Sequence, residues 1–164
     1  MTALTGPAQI APNLDRCADS PEFDLGAVVE GKNGKAYRYV QFIDAATYVV
    51  GHFVYKGTYV ADDDWRVTND RSGGTMMAGL RGVGLVFQSV VPTEDQYGWV
   101  QCGGEGEALM GSASVIAGDL LKPDASTDGA IDEATEGTSE PVAVALETIA
   151  DTAVGRVLLT GLRY

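Results

Sequence analysis

Short runs of β-branched, aromatic and other apolar residues, separated by glycine-rich turns, make up most of this chain. The clearest pair of runs, 27–31 and 36–43, flanks the dipeptide Asn33-Gly34. A type I′ turn needs a positive φ at both of its central residues, and Asn-Gly adopts that conformation at low cost. This segment therefore predicts a β-hairpin.

Further runs of the same kind predict a series of short strands, because each run is short and ends at turn residues. They lie at 47–56, 65–68, 83–91, 97–102, 119–122, 142–146 and 156–160. Gly103-Gly104 is predicted to end the 97–102 strand. Val142, Val144 and Leu146 alternate as in a half-buried strand, although 142–150 is also the best candidate for a helix. A total of about ten short strands predicts an all-β fold, a small β-barrel or sandwich.

Residues 1–26 differ from this pattern and are predicted to form an extended N-terminal arm. Prolines at positions 7, 12 and 21 interrupt any helix. Spaced apolar side chains would let the arm lie on a neighbouring molecule, and a self-packed or disordered leader is the alternative. These candidate anchors are Ile10, Leu14, Phe23 and Leu25. Residues 27–164 are predicted to form a single β domain.

The charge of the chain is unevenly distributed. The formal net charge is −12, with 23 Asp and Glu against 11 Lys and Arg, which disfavours nucleic acids and anionic membranes as partners. Residues 1–82 hold ten acids and eight bases, whereas 83–164 hold thirteen acids and three bases. Residues 123–140 are predicted to form an acidic surface loop with a short hairpin near Gly129. We expect 105–151, with eleven acids against Lys122 alone, to face solvent.

Catalytic machinery is not indicated by the residue types or by their spacing. His52 is the only histidine; it shares a predicted strand face with Val50 and Val54, which is typical of a core or interface residue. The chain has no Gly-x-Ser-x-Gly elbow, and neither Cys17 nor Cys102 lies in a nucleophile or metal signature. We therefore predict that the chain is not an enzyme, and reduced thiols are favoured over a disulfide.

The sequence also lacks patterns typical of metal sites, phosphate-binding loops and membrane spans. The consecutive acids Asp62-Asp63-Asp64 lack the alternation of an EF-hand, and the acids of 123–140 indicate at most loose cation binding. The segment 79–84 reads G-x-x-G-x-G, the reverse of the dinucleotide fingerprint. The first residues show no basic and apolar regions of a signal peptide, and no apolar run reaches the roughly 18 residues of a membrane span. No metal or cofactor is predicted.

Six short blocks stand in order along the chain: KAYRYV at 35–40, AGLRGVG at 78–84, YGWVQCGG at 97–104, AGDLL at 117–121, VAVALE at 142–147 and VGRVLL at 154–159. This ordered set, which covers about residues 35–160, resembles the capsid decoration (cement) proteins of tailed bacteriophages. The 26-residue leader and the acidic 123–140 loop are departures from the shorter members of that family.

The resemblance implies a small β-barrel-like structural protein without catalytic residues or cofactors. Such proteins assemble as homotrimers on the outer capsid surface and clamp neighbouring major capsid subunits. It implies a protein made in the host cytoplasm and carried on the outer surface of the virion, with no nucleic-acid or membrane partner. The less charged N-terminal half is then expected to face the capsid. Expected capsid or intersubunit contacts are Ile10, Leu14, Phe23, Leu25, Trp65 and Trp99.

A carbohydrate-binding or tail-fibre-type β module is the alternative. Its sugar platform would be built from exposed aromatic side chains, for which Tyr55, Tyr59 and Trp65 are the candidates.

Overall fold

The computed structural model describes residues 13–43, 47–56, 65–70, 82–88, 91–124, 126–135 and 141–160. These residues form ten β-strands and one 3₁₀ turn, so the predicted all-β fold is confirmed. The strands are β1 (Val28–Glu30), β2 (Ala36–Phe42), β3 (Phe53–Lys56), β4 (Arg66–Thr68), β5 (Gly82–Leu85), β6 (Tyr97–Leu109), β7 (Leu120–Pro123), β8 (Ile131–Glu133), β9 (Ala143–Ala145) and β10 (Val154–Leu159).

Five of the strands close into a barrel. β2, β4, β3, β5 and β6 are hydrogen-bonded in this order, and β6 pairs back onto β2. The pairing of β2 with β4 is parallel, and the other pairings of the barrel are antiparallel. One apolar cluster holds these strands together, and its buried members are Val40, Phe42, Tyr48, Val54, Val67, Val83, Val86 and Val100.

The predicted hairpin at the start of the domain is confirmed. β1 and β2 pair antiparallel, with Glu30 opposite Ala36. Asn33 and Gly34 have φ values of +59° and +73°. The N–H of Lys35 donates to the carbonyl of Lys32 across this turn, at 3.3 Å. The positive φ that a type I′ turn requires at both positions is therefore present.

β6 is 13 residues long and belongs to both halves of the fold. Its pairing with β2 extends to Gly103, and its pairing with β10 begins at Gly104. Gly104 has a φ of +82°, and a Cβ at this position would lie 2.7 Å from the carbonyl oxygen of Gly34. The prediction that Gly103-Gly104 ends the strand is wrong, because glycine lets the backbone change direction here while pairing continues.

A second antiparallel sheet consists of β6, β10, β9, β7 and β8 in that order. Residues alternate between exposed and buried along β10. The strand predicted at 142–146 is present as β9, so the helical alternative is wrong. Its buried face carries Ala143 and Ala145, whereas Val144 is half-buried and Leu146 is exposed. Small alanines on the inner face let β9 approach the neighbouring core closely.

The largest apolar cluster joins the barrel to the second sheet. It includes Phe53 and Leu85 from the barrel, and Leu121 and Val157 from the second sheet. The segment predicted as an acidic loop at 123–140 takes part as well, because Ile131 is fully buried. The predicted hairpin near Gly129 is present, with β7 and β8 pairing from Pro123 and Ile131 onward.

Candidate contact surface

The outer face of β2 and β6 carries an aromatic cluster built on Tyr37, Tyr39 and Trp99. Residues 13–29, which include the described part of the predicted arm, lie across this cluster. Ala18 anchors the crossing, because its N–H donates to the carbonyl of Tyr97 at 2.9 Å and its carbonyl accepts from the N–H of Tyr97 at 2.8 Å. The described part of the arm therefore packs on its own domain.

Phe23 completes the aromatic cluster from the solvent side. Its ring centroid lies 5.3 Å from that of Tyr39, in an edge-to-face arrangement, and 5.2 Å from that of Trp99. The hydroxyl of Tyr39 accepts a hydrogen bond from the N–H of Glu22 at 3.1 Å, and Glu22 pairs with Arg16 at 3.0 Å. These contacts hold the turn at 21–25 in one position on the barrel.

The six predicted contact residues differ in how much surface they offer. Trp99 is 1% exposed, and Leu14 packs half-buried against the same aromatic cluster. Phe23 and Leu25 are 37% and 36% exposed, and they form an apolar ledge at 21–25. Ile10 lies outside the described residues. Phe23 and Leu25 on this ledge are thus the predicted contact residues that are accessible to a partner.

Trp65, the sixth predicted contact residue, is half-buried, and two cationic side chains lie over its ring. The guanidinium carbon of Arg38 is 4.0 Å from its ring centroid, and Nζ of Lys56 is 3.9 Å from it. Both positions suit cation–π attraction. Arg38 is 4% exposed, and burial lowers the pKa of its guanidinium. The ring of Trp65 is therefore engaged by side chains of its own chain.

The proposed sugar platform does not form as predicted. Tyr55 is fully buried, and its hydroxyl donates to the carbonyl of Asn69 at 2.5 Å. Tyr59 lies outside the described residues. Tyr55 therefore has no face to offer a sugar ring.

His52 lies where the barrel meets the turn that leads into β8. Its Nδ1 is 2.8 Å from Nδ2 of Asn69, and because an amide nitrogen can only donate, Nδ1 accepts. The N–H of Phe53 donates to the carbonyl of Gly129 at 2.7 Å beside it. Burial lowers the pKa of His52, and the carboxylate of Asp128 opposes this shift. The neutral imidazole thus has a structural role at this contact between the barrel and the turn before β8.

The two cysteines are both reduced, one half-buried and the other buried. Burial, with a smaller contribution from Asp15, raises the pKa of Cys17 to about 11. A thiol with this pKa is a poor nucleophile near neutral pH. Neither cysteine therefore has the environment of an activated thiol.

The acidic residues of the second sheet include one with a structural role. Asp124 is buried, and its carboxylate accepts from the N–H and hydroxyl of Ser126 and from the N–H of Thr127. It thereby shapes the turn before β8. In the part of the chain that the structure describes, no three His, Cys, Asp or Glu side chains come together as metal ligands. Asp62, Asp63 and Asp64 lie outside that part.

A cavity of about 400 Å³ opens where β6 passes from the barrel to the second sheet. Its apolar lining comes from Val50, Leu85, Val86 and Phe87, and it is also lined by charged groups of both signs. The charged lining residues are Lys35, Glu105, Glu107 and Arg156.

The chain shows little similarity to known proteins. No protein-family model and no curated protein matches the chain. Among solved structures, the head fiber gp8.5 N base of bacteriophage phi29 is similar, with 11% sequence identity and a TM-score of 0.48. The match covers 82% of this chain and 95% of that chain. No helix among the described residues is long and apolar enough to cross a membrane.

Sequence reasoning did not nominate the exposed leucines of the second sheet as contact residues. Leu120 and Leu158 are 47% and 40% exposed. The signal was present in β10, where Val154, Arg156 and Leu158 alternate with a glycine, a valine and a leucine that are buried. Which of two apolar faces is buried depends on the partner strands and is not encoded in the alternation itself.

Proposed function

We propose that this chain is a non-enzymatic structural protein of a bacteriophage virion that decorates the outer surface of the head. It binds as a homotrimer across neighbouring major capsid subunits and clamps them together. The observation that carries the proposal is the ordered set of six sequence blocks that resembles the decoration proteins. All six blocks overlap strands, namely β2, β5, β6, β7, β9 and β10. The resemblance therefore involves the framework of both sheets rather than isolated loops.

The surface of the described residues is compatible with such a role. The ledge at Phe23 and Leu25 presents apolar side chains on a turn that the aromatic cluster holds in place. A protein that decorates a lattice gains from multivalency, since several modest contacts per trimer add up to long-lived attachment. An ordered ledge suits this purpose because its side chains are already positioned before binding.

The test is binding to purified capsids of the phage that encodes the chain, prepared in expanded form without this protein. We expect the full chain to co-sediment with them to saturation in a density gradient and to run as a trimer in light scattering. Cryo-EM of the decorated shells would locate it at threefold positions on the outside. Failure to bind such shells, or binding only inside them, overturns the proposal.

Two matched variants test the ledge itself. Leu25→Ser removes an exposed apolar side chain from the ledge, and Val49→Ser removes one from the turn at 47–51. We expect Leu25→Ser to weaken capsid binding and Val49→Ser to leave it unchanged, with both proteins equally stable. Equal capsid binding by both variants would exclude the ledge as a contact.

A further inference from the structure

The outer face of the second sheet carries an apolar patch. Leu120, Leu146 and Leu158 are 47%, 37% and 40% exposed. Val144, which is half-buried, lies between them. We call these four residues the leucine patch. Exposed leucines occur singly on most proteins, but a contiguous group on one face marks an interaction site.

Strand register makes the patch continuous. Val144 on β9 lies directly opposite Leu158 on β10, and it also lies directly opposite Leu120 on β7. Directly opposed residues point to the same side of a sheet, with Cβ atoms about 5 Å apart. Three apolar side chains therefore form one row across three strands. Leu146, two residues after Val144 in the chain, widens the patch beside this row, and its N–H donates to the carbonyl of Arg156.

The groups beside the patch are mainly acidic. Glu105 lies opposite Leu158, and Glu107 lies opposite Arg156. Arg156 is already engaged, since its guanidinium contacts Glu105 at 3.1 Å and Glu147 at 3.0 Å. Glu107 is exposed and makes no ion pair among the described residues. Three carboxylates thus lie at this edge of the patch, with Arg156 and with Lys35, which lines the adjoining cavity, as the bases beside them.

The other end of the row is balanced in charge, because Lys122, two residues after Leu120 on β7, lies opposite Asp132 on β8. The acids at the edge of the patch are therefore Glu105, Glu107 and Glu147. A second copy that met the patch face to face would bring these acids together and would be repelled. A partner with basic residues around an apolar centre would be attracted instead.

From this geometry we infer that the leucine patch is a docking surface for a protein segment in which apolar side chains are flanked by Lys or Arg. The apolar side chains of the segment cover Leu120, Val144 and Leu158, and its cations lie against Glu105, Glu107 and Glu147. The acidic half of the chain then carries an interface of its own, in addition to the solvent-facing surface expected from its charge. This inference does not depend on the proposed capsid role.

The test uses the full chain labelled with ¹⁵N and three synthetic peptides. One peptide alternates Lys with Val, the second alternates Glu with Val, and the third alternates Lys with Ser. We expect only the Lys-Val peptide to shift the backbone amides of β7, β9 and β10, and we expect high salt to weaken the effect. Leu120→Thr/Leu158→Thr is expected to weaken binding about tenfold, because it removes apolar contact, while the β-branched threonine is well tolerated in a strand.

Val154→Thr is the matched control, since Val154 is also exposed on β10 but lies outside the row. It is expected to bind the Lys-Val peptide as the parent chain does. Equal binding of the Lys-Val and Lys-Ser peptides, shifts that map elsewhere, or no binding at millimolar peptide would each overturn the inference. So would a change in oligomeric state caused by Leu120→Thr/Leu158→Thr in sedimentation, because the occupant would then be a second copy. Binding of the chain to capsids is measured separately, so the two proposals fail independently.

Discussion

Gly26 lies directly against the indole ring of Trp65. A Cβ at position 26 would overlap Nε1 and Cδ1 of that ring, and the φ of Gly26 is +85°. Two constraints, a positive φ and a close approach, therefore meet at one glycine. The ring in turn contacts the cations of Arg38 and Lys56, so a shift of the ring would disturb those contacts.

We predict that Gly26→Ala lowers the free energy of unfolding by about 2 kcal/mol, because it adds both backbone strain and overlap. Gly34→Ala is the matched control: Gly34 has a φ of +73°, but no atom lies within 4 Å of a Cβ placed there. Its cost should be about 1 kcal/mol, from strain alone. Urea denaturation measures both values. Equal losses would show that the contact with Trp65 is not constraining.

The stability of the protein is expected to fall on mild acidification because of His52. The folded-state pKa of His52 is lowered, mainly by burial, whereas the unfolded chain has an ordinary histidine pKa of about 6.5. The unfolded chain therefore takes up the proton first. The stability that His52 contributes is fully present above about pH 7 and declines as the pH falls through about 6.5.

Urea denaturation at several pH values between about 5.5 and 8 tests this expectation, because few carboxylates titrate in that range. His52→Gln retains an oxygen that can accept from Nδ2 of Asn69 but has no proton to gain. Its stability should be nearly constant over the same range. Because His52 is the only histidine, a persistent pH dependence in the variant would contradict the assignment.

Cys17 is expected to react slowly in the folded protein. With a pKa of about 11, about one thiol in a thousand is ionised at about pH 8. Alkylation by iodoacetamide, followed by mass spectrometry, should be about a hundredfold slower than that of a cysteine in a short peptide. In denaturant both cysteines should react at the peptide rate, and Cys17→Ser identifies the site. Rapid labelling of Cys17 in the native protein would show that the turn at 13–20 opens readily.

Features determined by neighbouring residues in the chain were predictable, and features determined by distant residues were not. Asn33-Gly34 specifies its own turn through backbone conformation, so the hairpin of β1 and β2 followed from a dipeptide. Gly103-Gly104 is, like Asn33-Gly34, a dipeptide typical of turns. Its role depends on the close approach of Gly34, which lies far away in the chain, and β6 continues through it.

In the candidate contact surface, too, the arrangement depends on residues that are distant in the chain. Trp99 and Phe23 are both large aromatic residues that the sequence nominates as contacts, and only the packed structure shows that Phe23 covers Trp99. The leucine patch depends on the register of three strands, with Val144 between Leu158 and Leu120. Strand register between distant segments follows from tertiary packing, which alternation along one strand does not reveal.

Arg38 is a buried cation whose contribution to stability can be measured directly. Its Nε has no hydrogen-bond partner among the described residues, and burial lowers its pKa. Burial of this guanidinium costs desolvation energy, it forms no ion pair among the described residues, and the cation–π contact with Trp65 offsets the cost only in part. We therefore predict that Arg38→Met, which keeps an unbranched apolar chain in place of the arginine stem and removes the charge, leaves stability unchanged or raises it by about 1 kcal/mol.

Arg38→Ala is the comparison, because it removes the charge and also leaves a cavity next to Trp65. It should lower the free energy of unfolding by about 2 kcal/mol. Denaturation of both variants, with the fluorescence of Trp65 and Trp99 as the signal, separates the charge of Arg38 from its volume. If Met costs as much stability as Ala, the guanidinium itself stabilises this end of the barrel, and its attraction to the indole ring outweighs its desolvation.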